Sequence, residues 1–192
     1  MPPPFAPLRT PRLLIRGVRR ADATAHFAYA SDPEVTRWVS WGPFTEPAQS
    51  EAWAEEAERG AAAGLLRPLG ITLADSPDAP LIGHLGLFWW GKETHVLELG
   101  FALGRAHWGQ GYATEAAGAL AGWALRERAG GLLRLEARCA VANAGSARVL
   151  ERLGFVREGT LRGRGLKAGR LVDQHVYGLL ASDPAARTLA EG

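Results

Sequence analysis

Residues 95–128 constrain this chain more than any other stretch. His95–Leu103, HVLELGFAL, alternates Leu97, Leu99, Phe101 and Leu103 against Val96, Glu98, Gly100 and Ala102, the period of a β-strand with one charged residue inside it. Trp108-Gly109-Gln110-Gly111-Tyr112-Ala113 follows. Then Ala113, Ala116, Ala117, Leu120, Trp123 and Ala124 recur at helical spacing over 113–128. Strand, glycine turn and helix in that order leave the helix's first amides without internal partners, at the positive end of its dipole. Such a corner suits a phosphate or pyrophosphate, and glycine lets the backbone approach it closely. A plain strand-to-helix turn uses the same residues, so the corner alone is weak evidence. The Gly-Lys-Ser/Thr ending of a P-loop is absent. Thr114 stands where the dinucleotide fingerprint needs Gly or Ala, and no early βαβ unit precedes it.

The flanking sequence extends the pattern. Residues 1–11 hold five prolines and read as an extended arm, and Leu13–Arg16 as a short strand. Asp22 is placed to cap a helix reaching about Ser31. Asp32-Pro33 and Thr45-Glu46-Pro47 each restart helical signals, the second helix ending at Gly60. Leu69–Leu73 and Leu81–Trp89 are strands, with turns predicted at Ala74–Asp78 and Gly91–Thr94. Leu133, Leu135, Ala137, Cys139 and Val141 alternate as a strand, and a short helix covers Gly145–Leu153 up to Gly154. Phe155–Leu161 and Leu171–Leu180 are the last strands, joined by Arg162-Gly163-Arg164-Gly165, and the tail 181–192 reads as frayed. The order β-α-α-β-β-β-α-β-α-β-β means an α/β or α+β protein, with helices covering a largely antiparallel sheet.

At 192 residues the chain is expected to form one domain, 1–192. Twenty-two basic against 20 acidic residues leave a net charge of +2, which gives no reason to expect a nucleic-acid or membrane-surface partner despite a pI near 9.0. Neither an apolar run of spanning length nor a secretory signal is evident, so a cytoplasmic protein is expected. One cysteine, Cys139, excludes a disulfide framework, and its place in the strand's apolar alternation reads as packing. The five histidines lack metal-ligand spacing, so no metal is expected. Asn143 is the only asparagine. It sits where an N-cap belongs, but Asp, Ser or Thr would cap as well, so its retention points to a need for an amide that donates and accepts together.

Leu97-Glu98-Leu99-Gly100-Phe101, Trp108–Ala116 and Asn143–Phe155 together resemble the GNAT superfamily of acyl-CoA-dependent N-acyltransferases, and within it the RimJ/RimL type. The resemblance covers Arg12–Leu180. It implies a sheet in which two parallel strands, 96–103 and 132–141, splay to admit acetyl-CoA. By the same resemblance, the backbone of Phe101, Ala102 and Leu103 pairs with the pantetheine arm. The amides from Gly109 through Gln110, Gly111, Tyr112 and Ala113 hold the pyrophosphate, and Asn143 meets the pantetheine or acyl end. Trp108, Ser146 and Arg148 complete the expected cofactor contacts. Trp108 replaces the Gln or Arg that opens this loop in GNATs generally. Leu150 stands where many members carry a tyrosine acid, and it has no proton to give.

Acetylation needs a neutral amine, a stabilised oxyanion and a proton for the thiolate; holding amine and thioester together supplies most of the acceleration. Glu98 is the candidate base, because an apolar strand would raise its pKa. A structural ion pair with Arg134 or Arg138 is the alternative. Ser146 is the candidate acid by the resemblance, or else a first-turn residue supporting the cap. An amide at Phe101–Leu103 could polarise the thioester carbonyl. Trp38 and Trp41, in a loop of the region that walls the acceptor site in the resembling family, are candidate substrate contacts. The expected partner is an amine acceptor: a protein N-terminus, a polyamine, an antibiotic amine or a small metabolite; a homodimer is one assembly the reading allows. A non-catalytic CoA-binding module and a nucleic-acid binder using Arg162, Arg164, Lys167 and Arg170 are the competing readings.

Overall fold

The computed structural model describes residues 5–62, 68–75, 78–89, 95–127 and 131–192. The predicted turn at Gly91–Thr94, Ser76-Pro77 of the preceding turn, the arm's first four residues and the last residue of helix 113–128 lie outside them. Two compact units result: residues up to Leu87 with Phe101–Ala116, and Phe88–Gly100 with Ala117–Gly192.

In the first unit, β1 (Leu8–Arg9), β2 (Leu13–Gly17), β3 (Leu69–Leu73) and β4 (Leu81–Trp89) are antiparallel neighbours, with Leu8 opposite Ile15, Ile15 opposite Ile71 and Leu69 opposite Leu85. The arm is thus in part a strand. Leu13–Arg16 are all buried, so β2 shows no alternation of buried and exposed positions. Three helices follow β2, one more than a two-helix reading allows: α1 (Ala23–Ala30), α2 (Pro33–Thr36) and α3 (Pro47–Ala62). Gly60 lies inside α3 and does not end it. Asp32 caps α2 by accepting from Glu34 N–H, and Gln49 reaches back to accept from the Thr45 and Glu46 amides at the start of α3. Asp22 gives α1 no side-chain cap. Its buried carboxylate instead takes two hydrogen bonds from the buried Arg16, at 2.7 and 2.8 Å, and one from Arg19 N–H. Val18, Ala23, Ala54 and Ala57 form one apolar cluster with Trp53; Tyr29, Ala30, Val35 and Leu81 form another. Each large apolar side chain so buried contributes about 2 kcal/mol of transfer free energy.

In the second unit the strand order is β5 (Val96–Leu103, here to Gly100), β6 (Arg134–Ala140), β8 (Arg170–Leu180) and β7 (Val156–Lys167). Every pair with a defined register, in either unit, is antiparallel except β5–β6, which is parallel. That parallel pairing runs Val96–Arg134, Leu97–Leu135 and Glu98–Glu136 and stops there, although β6 continues to Ala140. Arg162–Gly165 is no connection: β7 passes through it, and the hairpin turns at Ala168-Gly169. Both turn residues have positive φ, 48° and 74°, the backbone that two-residue hairpins require. Helices α4 (Tyr112–Glu127), α5 (Ala144–Arg152) and α6 (Pro184–Glu191) complete the chain. The tail is therefore a helix, with Ala186 buried. A Cβ at Gly122 or Gly154 would collide with the Leu189 carbonyl or with Ala185, so α6 lies against positions that accept only glycine. The architecture is mixed α/β. Among the described residues no helix is long and apolar enough to cross a membrane.

Candidate active site

The glycine corner of the first unit is built for close approach. Gly109 and Gly111 both have positive φ, 74° and 81°, and a Cβ at Gly109 would meet nothing within 4 Å. The helix ladder of α4 begins with Glu115 N–H donating to Gly111 O, which leaves the amides ahead of it in the first turn without a helical carbonyl. Trp108 is 46% exposed, yet its indole N–H donates to Leu103 O at 2.8 Å, tying the loop back to the end of β5. The Leu103 carbonyl is thus already engaged, while Ala102 and Leu103 are buried and Phe101 half-buried. Gln110 donates to Ala106 O, and Tyr112 lies under the Arg12 guanidinium, 4.7 Å from its ring centroid.

Glu115, one turn into α4, carries a constellation that sequence reasoning missed. Its carboxylate accepts from Thr10 Oγ1 at 2.6 Å, from Arg12 N–H at 3.0 Å and from Arg12 Nε at 2.6 Å. Burial pushes its pKa up, but the bonds from Thr10 and Arg12 and the Arg12 charge outweigh that and hold it below the usual value. No local pattern links positions more than 100 residues apart.

In the second unit Glu98 accepts from Arg138 Nη2 at 2.8 Å. That is one of the two ion pairs open to it from the sequence. Arg134 has other partners, Glu136 and Glu158, which raise its pKa. Asn143 and Ser146 come together: Asn143 Oδ1 accepts from Ser146 N–H at 3.1 Å, and Asn143 Nδ2 donates to Ser146 Oγ at 3.0 Å. Asn143 is an N-cap, and its amide uses donor and acceptor at once, as Asp or Ser could not. Arg148 is exposed on α5. Cys139 is buried, and burial, followed by the nearby Glu151 charge, pushes its thiol up to about 11.

Trp38 lies under the Arg37 guanidinium, 4.8 Å from the ring centroid. Trp41 belongs to a half-buried aromatic cluster with Phe44, His26 and His84. His26 stacks on Trp53 at 3.6 Å and 7° and shares a hydrogen bond with Ser50 Oγ; His84 Nδ1 shares one with Tyr29 OH at 2.9 Å. Burial lowers the pKa of His84 to about 4; burial and the neighbouring His84 lower that of His26 to about 3. Both imidazoles are neutral at pH 7. The one sequence signal for this cluster is a histidine inside the apolar run Leu81–Leu87.

A glycine corner at a helix start suits a phosphate-bearing ligand. Residues 12–156 match the family described as acetyltransferase (GNAT) domain. The N-acetyltransferase p20 of Bacillus licheniformis is 32% identical over 178 residues, 93% of this chain and 98% of that protein. A GNAT-family acetyltransferase structure from Bacillus anthracis superposes with a TM-score of 0.81 at 27% identity, covering 93% of this chain and all of the other. The structure of RimL, a ribosomal L7/L12 α-N-protein acetyltransferase in complex with coenzyme A, shares the fold with a TM-score of 0.79 at 18% identity, covering 93% and 100% of the two chains. The chain belongs to the GNAT acetyltransferase family and is an acetyl-CoA-dependent acetyltransferase.

Proposed function

We propose that the acetyl group passes from acetyl-CoA to a primary amine by direct attack, with no covalent enzyme intermediate, and that a protein N-terminus leads the acceptor class. The observation that carries the cofactor side is the corner at 108–113: two glycines with positive φ, open space at Gly109, and helix amides without carbonyl partners. Those amides hold the pyrophosphate, and the backbone of Phe101–Leu103 takes the pantetheine. The amine nitrogen attacks the thioester carbonyl, the tetrahedral oxyanion collapses, and the carbon–sulfur bond breaks to release CoA. Glu98 takes the amine's proton, directly or through water, and Ser146 Oγ, next to Asn143, protonates the leaving thiolate. Asn143 and Arg148 contact the cofactor from α5; Trp38 and Trp41 line the acceptor's approach. Direct attack is supported by Cys139, whose raised pKa keeps the only thiol protonated and buried. The likeness to RimL, an α-N-protein acetyltransferase, supports the N-terminal acceptor.

The test has two parts. Acetyl-CoA binds the native state alone, so at 100 times its dissociation constant it should stabilise the fold by about 2.7 kcal/mol. A melting temperature indifferent to millimolar acetyl-CoA, with blank calorimetry, removes the cofactor reading. A mass-spectrometric transfer screen then sorts acceptors: peptides acetylated at the α-amine support the N-terminal assignment, and acetylation confined to polyamines or small amines replaces it.

A further inference from the structure

We infer that Arg12, held by Glu115, is a positioning residue that fixes the orientation of the phosphate-loop amides. The inference rests on the pyrophosphate reading of residues 108–113. A loop with glycines at 109 and 111 is conformationally permissive, so something outside it must select one backbone state. Arg12 is that restraint. Its Nη1 donates to Gln110 O at 2.9 Å, between the two glycines. The Gln110–Gly111 peptide is planar and trans, so drawing the carbonyl toward Arg12 turns the Gly111 N–H to the opposite side. Released from Arg12, the same peptide could flip and present a carbonyl oxygen to an incoming phosphate. The positive φ of Gly111 favours glycine there, and a Cβ built on it would lie 3.4 Å from Arg12 Nη2, which puts the guanidinium directly against this residue. The Tyr112 ring supports the guanidinium from the next residue.

Glu115 holds Arg12 in turn. Its carboxylate takes the Arg12 Nε and backbone N–H and pairs with Nη2 at 2.5 Å, while Thr10 Oγ1 donates to it. Thr10 itself closes a turn by accepting from Leu13 N–H through its hydroxyl oxygen, so the chain entering β2 is fixed before Arg12 reaches out. The network thus runs from the start of β2 through Glu115 and Arg12 to the Gln110–Gly111 peptide, the second of the two that join the loop glycines. A guanidinium with separate donors for a carbonyl and a carboxylate is required here; an ammonium cannot span both in one plane.

The experiment is calorimetry with CoA and with pantetheine, which lacks the diphosphate, on the wild-type chain, Arg12→Met, Glu115→Gln and the double variant. Loss of a charge-assisted restraint should raise the CoA dissociation constant about tenfold in each single variant. The double variant should be no worse than the weaker single one, because the two residues act as one unit. Pantetheine binding should stay at its wild-type level. Glu115→Gln keeps the side chain's shape and gives a folded test if Arg12→Met does not fold. Equal losses for CoA and pantetheine, or CoA affinity unchanged in a folded variant, overturn the inference and leave the cofactor reading standing. A wild-type chain that does not bind CoA removes both.

Discussion

Glu98 is asked to do two things with one carboxylate. The Arg138 guanidinium at 2.8 Å already occupies the carboxylate that would have to take the amine's proton. Glu98→Gln separates the roles. If Glu98 is the base, turnover at neutral pH falls by roughly 10²–10⁴-fold and recovers in part at high pH, where free amine is more abundant. A lower melting temperature with an unchanged pH–rate profile returns Glu98 to the ion pair alone. Ser146 gives a sharper contrast than its sequence position offered. The cap at α5 uses Asn143 Oδ1 and the Ser146 backbone N–H, so it survives loss of the hydroxyl. Ser146→Ala should therefore leave stability and acetyl-CoA affinity near wild type while lowering turnover, the signature of a group acting in the transition state. Asn143→Ala should be the variant that destabilises, by about 1 kcal/mol. Turnover and melting temperature measured on the same samples decide between them.

At the scale of elements, α6 shows what holds a terminal helix in place. Gly118 and Gly122 stand one turn apart on α4, the first near Leu153 and Leu189 and the second under the Leu189 carbonyl. Gly122→Ala improves helix propensity by about 1 kcal/mol but drives a methyl into that carbonyl. The expected net result is a loss of about 1–3 kcal/mol, the range of overpacked sites. Deleting residues 183–192 should reverse the sign, so that Gly122→Ala stabilises the shortened chain; thermal unfolding of the four proteins closes the cycle. The same helix marks how far sequence patterning reaches. Strands 96–103 and 134–140 and helices α4 and α5 were legible because one face of each is buried and the side-chain period records it. The tail was not, because a helix of eight residues with one buried alanine carries little apolar signal. Arg162–Gly165 misled as a connection, since glycine and arginine resemble turn chemistry on an exposed strand. Asn143 was singled out because it is the chain's only asparagine. The Thr10–Arg12–Glu115 network and the His26–His84 cluster were hidden, because long-range pairing leaves no periodic trace.

Over the whole molecule, stability should follow pH through His26 and His84. Both are neutral in the fold, with pKa values near 3 and 4, whereas each unfolded histidine titrates near 6.5. Between about pH 6.5 and pH 4 the unfolded chain therefore binds more protons than the folded one, and stability falls as pH falls. The slope is about 1.4 kcal/mol per pH unit for each histidine within that window. Glu115 and Glu158 also have lowered values, held down by Thr10 and Arg12 and by Arg134 respectively. Their contribution is present above the unfolded carboxylate pKa and is lost only below about pH 4.5. A comparison between pH 7.5 and pH 5.0 thus isolates the histidines. The urea midpoint should drop across that interval, and His84→Gln should reduce the drop by about half, because one imidazole then remains to titrate. Stacking on Trp53 and a shared bond to Ser50 leave His26 no room to accept a hydrated charge without opening the α1–α3 contact. A midpoint that stays level from pH 7.5 to 5.0 would mean that both imidazoles reach water in the native state, and the aromatic cluster would then be a solvated surface of the first unit instead of its core.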